Sequence, residues 1–72
     1  NKKFDIIFMD PPYKEKDLTP LLEKINNSKI LSNKGIIIIH RHKSEKKNLP
    51  EQFKIVEQKT YGVSKIIFGN FY

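Results

Sequence analysis

Asp10-Pro11-Pro12-Tyr13 concentrates most of the chemistry that this 72-residue sequence can offer. Two consecutive prolines fix φ twice and remove two backbone N–H donors. Each also drives the residue before it out of the helical region. The turn is therefore stiff, and it offers carbonyl acceptors without neighbouring donors. Asp10 adds a carboxylate and Tyr13 a flat aromatic face. An acceptor-only pocket beside a stacking platform suits a planar group with an exocyclic NH2. Asp10 and the Pro11 carbonyl would accept the two amine hydrogens while Tyr13 stacks on the ring. A nitrogen held in this way loses conjugation with its ring and exposes its lone pair. The plain alternative is a strand-to-helix turn capped by an aspartate. Because the tetrapeptide follows a hydrophobic strand, the context favours the chemical reading.

The elements around it explain the placement. Lys3 to Met9 is nearly continuous in apolar character, and such runs predict a strand buried on both faces of a parallel sheet. Asp5 interrupts it at the solvent-facing entrance. Lys14-Glu15-Lys16 is a charged loop. A helix follows, with Asp17 as its N-cap and Pro20 in the first turn. Leu18, Leu21, Leu22 and Ile25 form one apolar stripe facing the sheet, and Asn26-Asn27-Ser28 ends it. Ser32-Asn33-Lys34-Gly35 is turn chemistry. Gly35 to Arg41 is the second strand, with four consecutive isoleucines. Strand, helix, strand at this spacing predicts a right-handed βαβ unit with a parallel pair. Ligands bind at the carboxyl ends of such strands, where Asp10 falls. After a charged loop from Lys43 to Pro50, Gln52 to Thr60 reads as a strand near an edge. Tyr61 to Ser64 reads as a hairpin turn, and Lys65 to Tyr72 as the last strand. A βαβ unit followed by an antiparallel hairpin is an α/β fold, and it resembles the carboxyl-terminal half of a Rossmann-like class I methyltransferase sheet.

Composition sets the outer bounds. At 72 residues the chain is at most one small domain, and a chain of this size buries only about 60% of its unfolded surface. It has no cysteine, so disulfides and thiolate metal sites are excluded. No apolar run approaches the roughly 20 residues that span a bilayer, and no membrane partner is expected. A cytoplasmic protein fits these features. The formal net charge of +6 favours an anionic partner only modestly. Arg41 is the single arginine, and the many lysines would equally give a solvated surface. The sequence starts at Asn1 and its first strand at Phe4, so residues 1–72 are expected to be a partial domain, the target-amine half.

Taken together, Phe4-Asp5-Ile6-Ile7-Phe8-Met9-Asp10-Pro11-Pro12-Tyr13, Gly35-Ile36-Ile37-Ile38-Ile39 and Tyr61-Gly62 followed by Lys65-Ile66-Ile67-Phe68 resemble the carboxyl-terminal half of the RsmD family. Members are S-adenosylmethionine-dependent methyltransferases acting on guanine N2 of small-subunit ribosomal RNA. The resemblance covers essentially the whole chain. It implies that Asp10, Pro11, Pro12 and Tyr13 hold and orient the guanine amine, that Asp10 also borders the S-adenosylmethionine site, and that Tyr13 stacks on an unpaired or extruded base. The implied partner is ribosomal RNA or a small-subunit assembly particle. The family's Gly-rich loop and ribose-binding acid are not among these residues, so the 72 residues alone are expected to bind the cofactor poorly and to be inactive.

His40-Arg41-His42-Lys43 lies at the same carboxyl edge. Two readings stand for it: RNA phosphate contacts beside the catalytic mouth, or a solvated strand end. His40 and His42 point to one face of a strand, but a closed metal site needs about four ligands and no third is near, so no metal is expected. Three rivals remain. One is a DNA adenine-N6 or cytosine-N4 methyltransferase fragment using the same tetrapeptide. The others are a non-catalytic RNA-binding module and a truncated remnant. An open sheet edge would favour self-association at high concentration.

Overall fold

Alternation of side chains along the strands decides which residues meet the helix. The computed structural model describes residues 3–10, 17–44 and 48–72, so Pro11, Pro12 and Tyr13 lie outside the described residues. In chain order the elements are β1 (Phe4–Met9), α1 (Thr19–Ser28), β2 (Leu31–His42), β3 (Lys54–Tyr61) and β4 (Ser64–Asn70). They form one sheet of order β1-β2-β4-β3. β1 and β2 pair in parallel, as a strand–helix–strand unit requires, and β4 pairs antiparallel with both β2 and β3. This is the fold class expected above.

One face is closed. Leu18 and Leu22 from the helix side pack with Leu31, Ile37, Ile39, Phe53 and Ile67, and Ile7, Met9 and Ile25 pack against that cluster. On β2 and β4 these are alternate positions, since successive strand side chains point to opposite faces. Phe71 meets Phe53 edge-on, with ring centroids 5.4 Å apart. A Cβ on Gly69 would collide with the Phe53 ring and approach the Lys54 carbonyl to 2.6 Å, so only glycine admits this packing.

The other face is open. β1 was expected to be buried on both sides. Instead Phe4, Ile6 and Phe8 are 52%, 62% and 63% exposed. β1 is the outermost strand, and its even-numbered side chains lie on the face away from α1, where no described residue covers them. β3, expected near an edge, is the opposite edge strand and is exposed throughout.

Several boundaries shift for local reasons. Ser32 to Gly35 is not a separate turn. β2 starts at Leu31, and its register with β1 jumps from Phe4↔Leu31 to Ile6↔Ile36, five positions on one strand against two on the other. The Ser32 hydroxyl donates to Asp5 at 2.6 Å across this irregularity. Gly35 is required there, because its Cβ would come within 2.8 Å of Leu31 Cγ. Asp17 is not the N-cap. Leu18 occupies that position, and Asp17 Oδ1 accepts the Thr19 N–H at 3.0 Å from one residue earlier. That bond holds the Asp17 carboxyl below its ordinary pKa. Leu21 leaves the predicted stripe and is exposed. β3 begins at Lys54 rather than Gln52, and a bulge between Ile55 and Glu57 breaks its alternation. The turn is the tight Gly62-Val63 connection, with Tyr61 paired to Ser64 and Gly62 at φ 56°, the conformation that favours glycine first in a two-residue hairpin loop. Among the described residues, no helix is long and apolar enough to cross a membrane.

Candidate active site at the carboxyl edge of the sheet

Asp10 is the residue directly after β1, His40 lies near the end of β2, and Ser64 opens β4. Because β4 runs antiparallel to β2, its start lies at the same edge as the ends of β1 and β2. Parity puts all three on one face. Phe8 pairs with Ile38, so Asp10 and His40 continue the even-numbered rows, and Ser64 pairs with His42. The three side chains meet. His40 Nδ1 is 3.0 Å from Asp10 Oδ1, and His40 Nε2 is 3.0 Å from Ser64 Oγ. A carboxylate only accepts, so the hydrogen sits on Nδ1 and is donated to Asp10. Side-chain exposure is 36% for His40 and 62% for Asp10. The carboxylate therefore faces solvent at the mouth, while the imidazole sits behind it.

The rest of the expected cluster divides. His42 shares the face of His40, and its Nδ1 lies 2.7 Å from the Ser44 hydroxyl. Lys43 is exposed, and its backbone N–H is tied to the Val63 carbonyl at 2.7 Å. Arg41 must be corrected. Its side chain belongs to the alternate, helix-covered face and is 6% exposed, so it does not present a surface cation to phosphate. Lys65, its cross-strand partner, is buried beside it. The expected roles of Pro11, Pro12 and Tyr13 fall outside the described residues. Ser64 was read only as part of the turn. The available signal was that an antiparallel last strand begins where parallel strands end.

The three glycines are each accounted for within the fold. Gly35 and Gly69 are backed by Leu31 and Phe53, and Gly62 is spent in the hairpin. Among the described residues, no group of three His, Cys, Asp or Glu comes together to hold a metal ion.

A family model described as "Conserved hypothetical protein 95" matches residues 1–70. The chain belongs to this family. It is 40% identical over 70 residues to "Uncharacterized methylase RP545" of Rickettsia prowazekii, across 93% of this chain and 28% of that protein. Among solved structures it resembles a "conserved hypothetical protein" of Streptococcus pyogenes, with TM-score 0.79 and 27% identity, covering 96% of this chain and 44% of the other. It also shares the fold of "Putative methyltransferase yhhF from Escherichia coli", with TM-score 0.74 and 16% identity, covering 94% and 39%. The chain thus spans less than half the length of these relatives.

Proposed function

We propose that this chain is the target-binding part of an S-adenosylmethionine-dependent methyltransferase that modifies the exocyclic N2 of a guanine in small-subunit ribosomal RNA, acting in the cytoplasm. The observation that carries the reading is the Asp10 carboxylate. It stands exposed at the carboxyl end of β1, beside β2, and Pro11-Pro12-Tyr13 follows it in sequence. Membership of a family with a relative named as a methylase supports it.

In this reading Asp10 accepts a hydrogen bond from the guanine amine and fixes where the nitrogen sits. Tyr13 stacks on the base, which must be unpaired or extruded to reach the sheet edge. His42 and Lys43 flank the mouth and meet RNA phosphates. S-adenosylmethionine, when bound, would supply the methyl group as a sulfonium electrophile, with its thioether as the leaving group. The amine proton then leaves to Asp10 or to water. Alignment of nitrogen and methyl does much of the work. Residues 1–72 carry no Gly-rich loop in sequence, and alone they are expected to bind the cofactor poorly.

The test is direct. The intact gene product is incubated with labelled S-adenosylmethionine and, separately, ribosomal RNA, small-subunit particles and DNA, and the labelled nucleoside is identified after digestion. N2-methylguanosine from either RNA substrate is the expected product. N6-methyladenine or N4-methylcytosine in DNA would replace this reading with the DNA enzyme. Tight, salt-sensitive RNA binding without methyl transfer would replace it with a binding module.

A further inference from the structure

We propose that His40 is a positioning residue for Asp10, occupying one carboxylate oxygen and aiming the other at the incoming amine. This rests on the methyltransferase reading above. An aspartate in a turn is ordinarily steadied by backbone N–H groups just ahead of it. Here the next two residues are Pro11 and Pro12, which have none. Neither proline can donate a backbone N–H to the Asp10 carboxylate. The structure supplies the donor from another strand: His40, 30 positions later in the chain, reaches Asp10 Oδ1 at 3.0 Å. Asp10 Oδ2 has no hydrogen bond among the described residues.

The imidazole is itself held. Ser64 Oγ lies 3.0 Å from Nε2. With Nδ1–H donated to Asp10, the neutral ring accepts the Ser64 hydroxyl at Nε2. Ser64 is fixed by its pairing to Tyr61 and to His42, beside the Lys43–Val63 backbone bond. The result is a chain Ser64→His40→Asp10 that ends on Asp10 Oδ1. These residue types also build nucleophilic serine sites, but there the aspartate is buried. Here Asp10 is the more exposed partner of the Asp10–His40 pair. That suits a carboxylate that receives substrate rather than one that orients a nucleophile's base.

The test compares His40→Asn, His40→Gln and His40→Ala in the intact gene product. An asparagine amide lies near the place of Nδ1, whereas a glutamine amide lies near that of Nε2. The expected result is that Ala and Gln lower kcat roughly 10- to 100-fold at unchanged cofactor affinity, whereas Asn stays within about threefold of the wild type. Wild-type kcat in His40→Ala, or rescue by Gln as complete as by Asn, would overturn the proposal. Nitrogen-15 NMR of the His40 ring reads the contact without turnover. Nδ1 carries the hydrogen in the wild type and loses that preference in Asp10→Ala; an unaltered tautomer overturns the inference. A wild type that transfers no methyl group to any substrate fails the methyltransferase reading, and the NMR result still decides whether His40 holds Asp10.

Discussion

The two faces of this sheet both carry apolar side chains and have opposite fates. On the helix-covered face Leu22, Ile37 and Ile39 have no exposed surface. On the other, Phe4, Ile6 and Phe8 remain more than half exposed, and the row they begin ends in Asp10, which meets His40 of β2. One face carries the chain's packing and the other carries the Asp10–His40 pair. Burial of apolar area drives folding regardless of direction, so only the layer laid over a face decides whether that area counts. The helix, together with Leu49 and Phe53, covers the odd-numbered rows of β1, β2 and β4. It leaves the even-numbered rows free to present polar groups at the carboxyl edge.

Substitutions on either face can break that contrast, and those at the reacting amine should act most strongly. Asp10→Ala, on the open face, should lower methyl transfer by the intact gene product about a hundredfold or more, as loss of a group at the reacting amine does, while thermal melting barely moves. Leu22→Ala or Ile39→Ala, on the closed face, should do the reverse. Each leaves a cavity beneath α1 and should cost about 2–5 kcal/mol in urea unfolding. Phe8→Ala removes a side chain as large from the open face. In the 72-residue chain it should shift stability by only about 0.5 kcal/mol, the usual range for exposed sites. A Phe8 penalty equal to that of Ile39 would mean that the two faces do not differ as described. The exposed β1 edge should also drive concentration-dependent association of the 72-residue chain, seen in sedimentation and reduced by Phe8→Lys, since a charge on an edge strand blocks pairing.

The smallest effect concerns Asp17. Its carboxyl is held below its ordinary pKa by the Thr19 N–H. A carboxyl with a lowered folded-state pKa contributes stability that is present above its unfolded value and is lost as pH falls through the folded one. Acid titration should therefore show a slight loss of stability below the ordinary aspartate range, and Asp17→Ala should lack that component.

Much of this was legible in the residues themselves. The apolar run before Asp10, the Ile36–Ile39 strand and the Tyr61–Ser64 turn are each set by local chemistry, and the βαβ unit and hairpin follow from their order. What escaped depends on partners far away in sequence. Continuous apolar character in Phe4–Met9 suggested burial on both faces, but burial depends on what lies over a strand. Arg41 was grouped with His40 and His42 because the three are adjacent, although the two-residue strand period separates it from them and sends it beneath the sheet. Ser64 carried no motif, and only the antiparallel register of β4 brings it to His40. The Asp17 position shows the same limit at short range: the residue type was right for a helix start, and the hydrogen bond formed one residue earlier than the cap.

The most direct test is the kinetics of Asp10→Ala in the intact gene product, with S-adenosylmethionine affinity measured alongside. A turnover that collapses while cofactor affinity stays near wild type would place Asp10 at the amine, as proposed. Unchanged turnover would remove Asp10 from the chemistry and with it the functional assignment of this sheet edge.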